Sequence, residues 1–304
     1  MSENLIQPSP NAVIKIQNRN CAYCGNELTD AVATEEHVIG RRFVPKNTLF
    51  GQWNVIVRAC SKCNNAKSAL EDDISAITMQ PDGFGVFASE DGRLKAEAAR
   101  KERSQSRHTG KPVAESAVQL NLSGHLGSDA TLSIAMSGPP QVSDERSFQL
   151  AYYHVQGFFF LITFDEANQR GGFFKGVFRP VMATRRADWG NAKMRAFAST
   201  KASWKVRCEG IAANEYFKVS IRRHLADAEV WAWALEWNQN FRVIGFFGNE
   251  EDVEKELAAL PHLVMKEIGR EGNAVYRIRH DIPLPTEDDI MFSVKTEPET
   301  LASS

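Results

Sequence analysis

Four of the five cysteines fall in two pairs, Cys21/Cys24 and Cys60/Cys63, with 35 residues between the pairs. Each pair is a CxxC knuckle. Together they supply four thiolates, the full donor set of a tetrahedral zinc ion, and leave no coordination position for a reacting water. One such zinc per chain would be structural and would pin together the two ends of the intervening segment. Disulfides do not persist in a reducing compartment, where paired CxxC units hold metal or do redox work. Cys208 stands alone and reads as a small buried residue.

The residues around these knuckles read CAYCG, then ATEEHVIG, then NVIVRACSKCNNAKSALEDD. An acidic residue before a histidine, a downstream asparagine before an apolar strand, and CxxC-N-x-x-K at a helix start occur together. This combination resembles the HNH endonuclease family, in the branch whose zinc knuckles flank the active site. The resemblance covers residues 14–78. It implies a ββα-metal unit, in which two short strands, a loop and a helix clasp one metal ion. By position, His37 matches the general base that deprotonates the attacking water, and Glu36 the acidic metal ligand before it. Asn54 matches the asparagine that holds the loop and orients the base. Asn64 matches the second protein ligand, and Lys67 a lysine that meets a phosphate. Asp is commoner than Glu before the histidine, which leaves Glu35 as a rival to Glu36. Asn65 rivals Asn64 in the same way, although the place directly after Cys63 favours Asn64.

Elementary chemistry agrees with these roles. Hydrolysis of a phosphodiester needs a nucleophile made from water and positive charge on the phosphate oxygens. An imidazole with a pKa near ~6.5 accepts a proton at neutral pH. A carboxylate and an amide oxygen are hard ligands, suited to Mg²⁺ or Mn²⁺. Arg41, Arg42 and Arg58 are candidates to grip the phosphate backbone, or else form a solvated face. The expected function is a metal-dependent endonuclease acting on DNA, with RNA as the other possible substrate. The alternative is a non-catalytic, zinc-bearing nucleic-acid-binding module. By architectural analogy, a small cutter joined to a larger domain also suits the effector of a host-defence, restriction or toxin system. The larger domain would then dimerise or dock a partner protein.

The elements that must position these residues follow from patterning. A short strand leads into Cys21, a second lies near Thr34–Ile39, and a third spans Val55–Ala59. Ala66, Ala69, Leu70, Ile74 and Ile77 recur at helical spacing, predicting a helix from near Cys63 to Ile77. Residues 93–111 carry seven Lys/Arg against two Glu, predicting a basic helix to about Arg103 and then a linker. Beyond Ala117, strands at Val118–Leu122 and Thr131–Met136 precede a buried helix over Ser147–Gln169. A strand over Gly172–Arg179 and a helix over Ala187–Thr200 come next. Strands at Lys205–Cys208, Tyr216–Ile221, Val230–Trp237 and Phe241–Phe247 and a helix over Glu250–Leu260 complete the pattern.

The expected fold class is α+β: an N-terminal ββα-metal HNH nuclease domain with a structural zinc, then a larger α+β domain with a mainly antiparallel sheet and helices on one side. The expected divisions are 1–80, a basic helix and linker at 81–116, the larger domain at 117–282, and an acidic, flexible tail at 283–304. Residues 1–12 read as a loose arm. Trp231, Trp233 and Trp237 share one face of a strand, either as a buried sheet face or as a stacking platform for bases. His154 and His224 lack ligand-spaced partners and read as structural. The net charge of -2 gives no global nucleic-acid signature, since a coating protein is usually basic overall, but leaves room for a local basic cleft. Residues 1–16 lack the pattern of a signal peptide. The longest apolar stretch, Phe148–Phe164, is short for a membrane span, and a cytoplasmic protein is expected.

Overall fold

In the computed structural model, residues 12–82, 85–106, 110–116, 118–126, 130–138, 143–225, 229–271 and 274–293 are described. The first unit comprises β1 (Val13–Lys15), β2 (Ala33–His37), β3 (Asn54–Cys60) and α1 (Ser61–Thr78). Then come α2 (Gly92–Glu102), β4 (Val118–Leu126), β5 (Ala130–Gly138) and α3 (Asp144–Ile162). The remainder is β6 (Val177–Arg185), α4 (Ala192–Ala202), β7 (Lys205–Ala212), β8 (Phe217–Arg223), β9 (Val230–Trp237), β10 (Phe241–Gly248), α5 (Glu250–Ala258), β11 (Lys266–Glu271) and β12 (Ala274–Ile278). The chain is thus mixed α+β. Among the described residues no helix is long and apolar enough to cross a membrane.

β3 is the centre of a small sheet, paired antiparallel to β2 and parallel to β1. It runs straight into α1, whose N-cap is Cys60. The helix therefore begins before Cys63, with that residue in its first turn. The larger sheet is antiparallel throughout, in the order β6-β10-β9-β8-β7. β4 and β5 form a separate hairpin.

Helices cover both faces of the large sheet, not one. On β9, Trp233, Leu235 and Trp237 enter a core shared with α3 and the first unit, while Val230, Ala232 and Ala234 enter a second core with α4 and α5. A strand buried on both faces loses its alternation, and seven of the eight residues of β9 are buried.

The first core ignores the expected boundary near residue 117. It joins Ile16, Val38, Val55, Val57 and Ile74 to Phe158, Phe217 and Trp237. Trp53, just before β3, lies against Gly210 of β7, where a Cβ would sit 2.1 Å from its Cζ2. Its Nε1–H donates to the Ile211 carbonyl at 2.7 Å. The four-cysteine unit and the larger sheet are two halves of one packed body.

Two further expectations change. α3 stops at Ile162 rather than Gln169, because the Asp165 carboxylate accepts from the Ala167 and Asn168 amides and builds a turn instead. The segment from Pro283 is docked as far as Ser293: Met291 is buried in the second core and the Asp289 carboxylate pairs with Arg242. Residues 294–304 and all but the last residue of the expected N-terminal arm lie outside the described residues.

Candidate functional site

Cys21 and Cys24 sit in the turn after β1, closed by Gly25 at φ +78° and by a bond from the Gly25 amide to the Cys21 carbonyl. Cys60 ends β3 and Cys63 lies in the first turn of α1. The four Sγ atoms lie within 4.8 Å of one another, and Cys24 Sγ is 3.8 Å from Cys60 Sγ. A zinc ion with bonds of about 2.3 Å needs thiolates about 3.8 Å apart in a tetrahedron. Burial raises the Cys21 and Cys63 thiols, whereas hydrogen bonds from Cys63, Cys21 and Cys24 outweigh burial and lower Cys60. The donor set fits a metal such as zinc, which would tie β1, β3 and α1 together.

Register separates the other candidates into two groups. Opposed residues of an antiparallel pair share a face. His37 opposes Ile56 and Glu35 opposes Arg58, while Glu36 opposes Val57. His37, Glu35, Arg58 and Asn54 therefore share the face of the sheet turned away from α1. Thr34 and Glu36 share the face turned towards it, where they meet Asn64 and Lys67.

On the α1 side, Asn64 Nδ2 donates to Thr34 Oγ1 at 2.9 Å. Lys67 is fully buried, so it meets no phosphate arriving from solvent. Its ammonium group instead reaches Glu36 Oε1 at 2.7 Å, Glu71 Oε1 at 2.6 Å and the His37 carbonyl at 3.0 Å. All three N–H bonds are used. Glu71 Oε1 also accepts from the Gly40 amide at 3.1 Å and lies 3.2 Å from His154 Nε2 on α3. Burial pushes His154 down to about 4, so at neutral pH it is an uncharged donor to Glu71. Burial raises Glu36 despite Lys67, whereas Lys67 and His154 outweigh burial and lower Glu71. This polar cluster fastens the end of β2 to α1 and α3. Gly40 is fixed by it, since a Cβ there would lie 2.2 Å from Glu71 Oε2.

On the other face, Asn54 is a clamp. Its Oδ1 accepts from the Ile39 amide at 3.2 Å and the Val55 amide at 2.8 Å, and its Nδ2 donates to the Ile39 carbonyl at 2.8 Å. These bonds fix the amide so that Nδ2–H faces His37 Nδ1, 3.5 Å away. That orientation favours the neutral tautomer with its lone pair on Nδ1 and its proton on Nε2. Nε2 is shielded and has no partner among the described residues. Burial, then the positive charge of Arg41, lowers the His37 pKa. Arg41 and Arg42 are exposed. Arg58 is partly engaged, with Nη2 3.4 Å from Asp30. Glu35 pairs with Lys15 on the surface, which removes it from the α1 side.

The expected divalent-cation pair does not fit one site with the base. Glu36 is held by Lys67 and leaves β2 on the opposite face from His37. Sequence spacing missed the Lys67–Glu71–His154 cluster. Its only local signal is the i,i+4 pair of Lys67 and Glu71, while His154 is distant in sequence. The chain matches no protein-family model, no curated protein and no solved structure.

Proposed function

We propose that this chain is an HNH-type endonuclease that hydrolyses phosphodiester bonds in DNA with His37 as the general base. The observation that carries this reading is the His37 imidazole: its pKa lowered by burial and Arg41, facing the Asn54 amide at the end of a strand, with Arg41 itself exposed. A lowered pKa keeps the ring able to accept a proton from water at neutral pH, help typically worth about 10²–10⁴-fold in rate. Asn54 engages Nδ1 only at the limit of a hydrogen bond, so the lone pair can still take the proton. The shielded Nε2–H has no acceptor among the described residues and keeps its proton, leaving Nδ1 as the accepting atom. Arg41 and Arg42 supply sequence-independent backbone contacts. The four thiols fit a zinc ion that holds the strands and helix around this residue, supporting resemblance to the zinc-knuckle branch of the family. Effector service in a host-defence or restriction system remains an architectural analogy.

The test is supercoiled plasmid incubated with purified chain in Mg²⁺, in Mn²⁺ and in excess chelator. Nicking that His37→Ala removes supports the assignment, and equal nicking by the variant refutes it. The same arms decide whether a divalent cation is required, as the family resemblance implies for Glu36 and Asn64.

A second reading, a zinc-bearing module that binds nucleic acid without cutting, is favoured by one observation. Lys67 already supplies Glu36 with a cation, so the buried carboxylate is satisfied without a divalent ion. It predicts binding that survives chelation and no cleavage in any arm.

A further inference from the structure

Trp233 and Trp237 are fully buried, but Trp231 on the same face of β9 remains partly exposed. It lines a cavity of about 350 Å³ at the end of the large sheet, with Phe159, Phe247, Lys175, Arg223 and Glu229. The size is within the ordinary range for small-molecule sites, about 300–1,000 Å³. Phe247 stacks on Trp231 at 5.5 Å with an interplanar angle of 15°, and Phe159 meets both rings edge-on. The floor is therefore rigid and aromatic.

The rim is cationic. Arg223 and Lys175 are exposed, and neither has a carboxylate partner among the described residues. The Arg223 guanidinium stands over Trp231 at 5.8 Å from the ring centroid, near the outer limit of about 6 Å for a cation–π contact. Arg242, by contrast, packs onto Trp189 at 3.6 Å. Arg223 is poised over the aromatic surface without closing on it. Among the described residues Glu229 is the one carboxylate lining the rim, able to accept from an exocyclic amine or a sugar hydroxyl.

We propose that this cavity binds a nucleotide. The base would stack over Trp231, Arg223 and Lys175 would take the phosphate, and Glu229 would orient the base or sugar. An aromatic floor alone would suit any apolar ring, and two cations alone any anion. Their combination in one cavity selects an aromatic group joined to a phosphate. The site is independent of His37 and stands whether or not the chain cuts nucleic acid. A free mononucleotide and the terminal nucleotide of a strand share this chemistry.

The experiment is calorimetric titration of the full chain with adenosine 5′-monophosphate, adenosine, inorganic phosphate and a 5′-phosphorylated single-stranded hexanucleotide. The monophosphate should bind more tightly than adenosine or phosphate alone. Arg223→Ala should weaken it roughly tenfold or more, as expected for a lost charged hydrogen bond, and leave adenosine unchanged. Trp231→Leu should weaken both the monophosphate and adenosine by about fivefold or more. Trp231→Phe, which keeps an aromatic floor, should retain most of the binding and reports on the site if the leucine variant does not fold. Tighter binding of the hexanucleotide assigns the site to a strand end; equal or weaker binding assigns it to the free nucleotide. A monophosphate that binds no better than phosphate, or equally well to wild type and Arg223→Ala, overturns the proposal.

Discussion

Replacing Lys67 by Met keeps the volume and removes the charge at the centre of the buried cluster. Nζ lies 2.7 Å from Glu36 Oε1 and 2.6 Å from Glu71 Oε1, so those two oxygens are at most about 5 Å apart. Without the ammonium, two carboxylates at that distance repel by about 3 kcal/mol at an effective dielectric constant of ~20. Removing one partner of a buried pair typically costs about 3–5 kcal/mol. Lys67→Met should therefore lower stability at pH 7 by about 3–5 kcal/mol, read from urea unfolding. The pH dependence carries a definite sign. In the wild type, Glu71 is held below its ordinary value, so its contribution is present above that value and lost as pH falls through the lowered one. In the variant both carboxylates are raised. The folded state then binds more protons than the unfolded state between the ordinary and raised values, and its stability increases as pH falls through that window. The deficit should be smaller at pH 5 than at pH 7. Adding Glu71→Gln to the variant should recover part of it. A loss under about 1 kcal/mol, far below the range for a broken buried pair, or an equal loss at both pH values, refutes the cluster as a buried charge balance.

Elemental analysis should find about one zinc per chain, and Cys24→Ser should lose most of it. If zinc stands at a hundredfold its Kd, stripping it costs about 2.7 kcal/mol of stability; an unchanged melting midpoint after chelation contradicts a structural zinc. Gly210→Ala should cost about 1–3 kcal/mol in urea unfolding, because the Trp53 ring is pinned by its bond to Ile211 and cannot withdraw. A neutral result would show that the contact between the knuckle unit and the large sheet is loose.

Local chemistry was legible in the sequence where spacing is short and functional groups are few. The two CxxC pairs specified a four-thiol cluster because each knuckle fixes two donors by itself. The β2–β3–α1 order followed from Glu36–His37, Val55–Ala59 and the apolar spacing from Ala66 to Ile77. β9 and β10 matched their expected spans almost to the residue, since strong apolar runs between turn residues leave little choice. Long-range pairing was not legible. Lys67 looked like a phosphate contact because its i,i+4 spacing to Glu71 does not show that Glu36, 31 residues earlier, would join in enclosing it. His154 looked partnerless because its partner Glu71 is 83 residues away. The single core joining the knuckle unit to the large sheet depends on Trp53 meeting Gly210, a fit between shapes that no periodicity encodes. The segment from Pro283 is acidic and proline-bearing, yet Met291 and Asp289 anchor it through one apolar and one charged contact.

The most direct test of the nuclease reading compares wild type and His37→Ala, matched in zinc content and melting midpoint, on one supercoiled plasmid under single-turnover conditions. The variant should nick at least about 10²-fold more slowly, and the wild-type rate should fall as pH drops through the lowered pKa of His37. Equal rates for the matched pair, or no cleavage by wild type with any divalent ion, would contradict the nuclease reading.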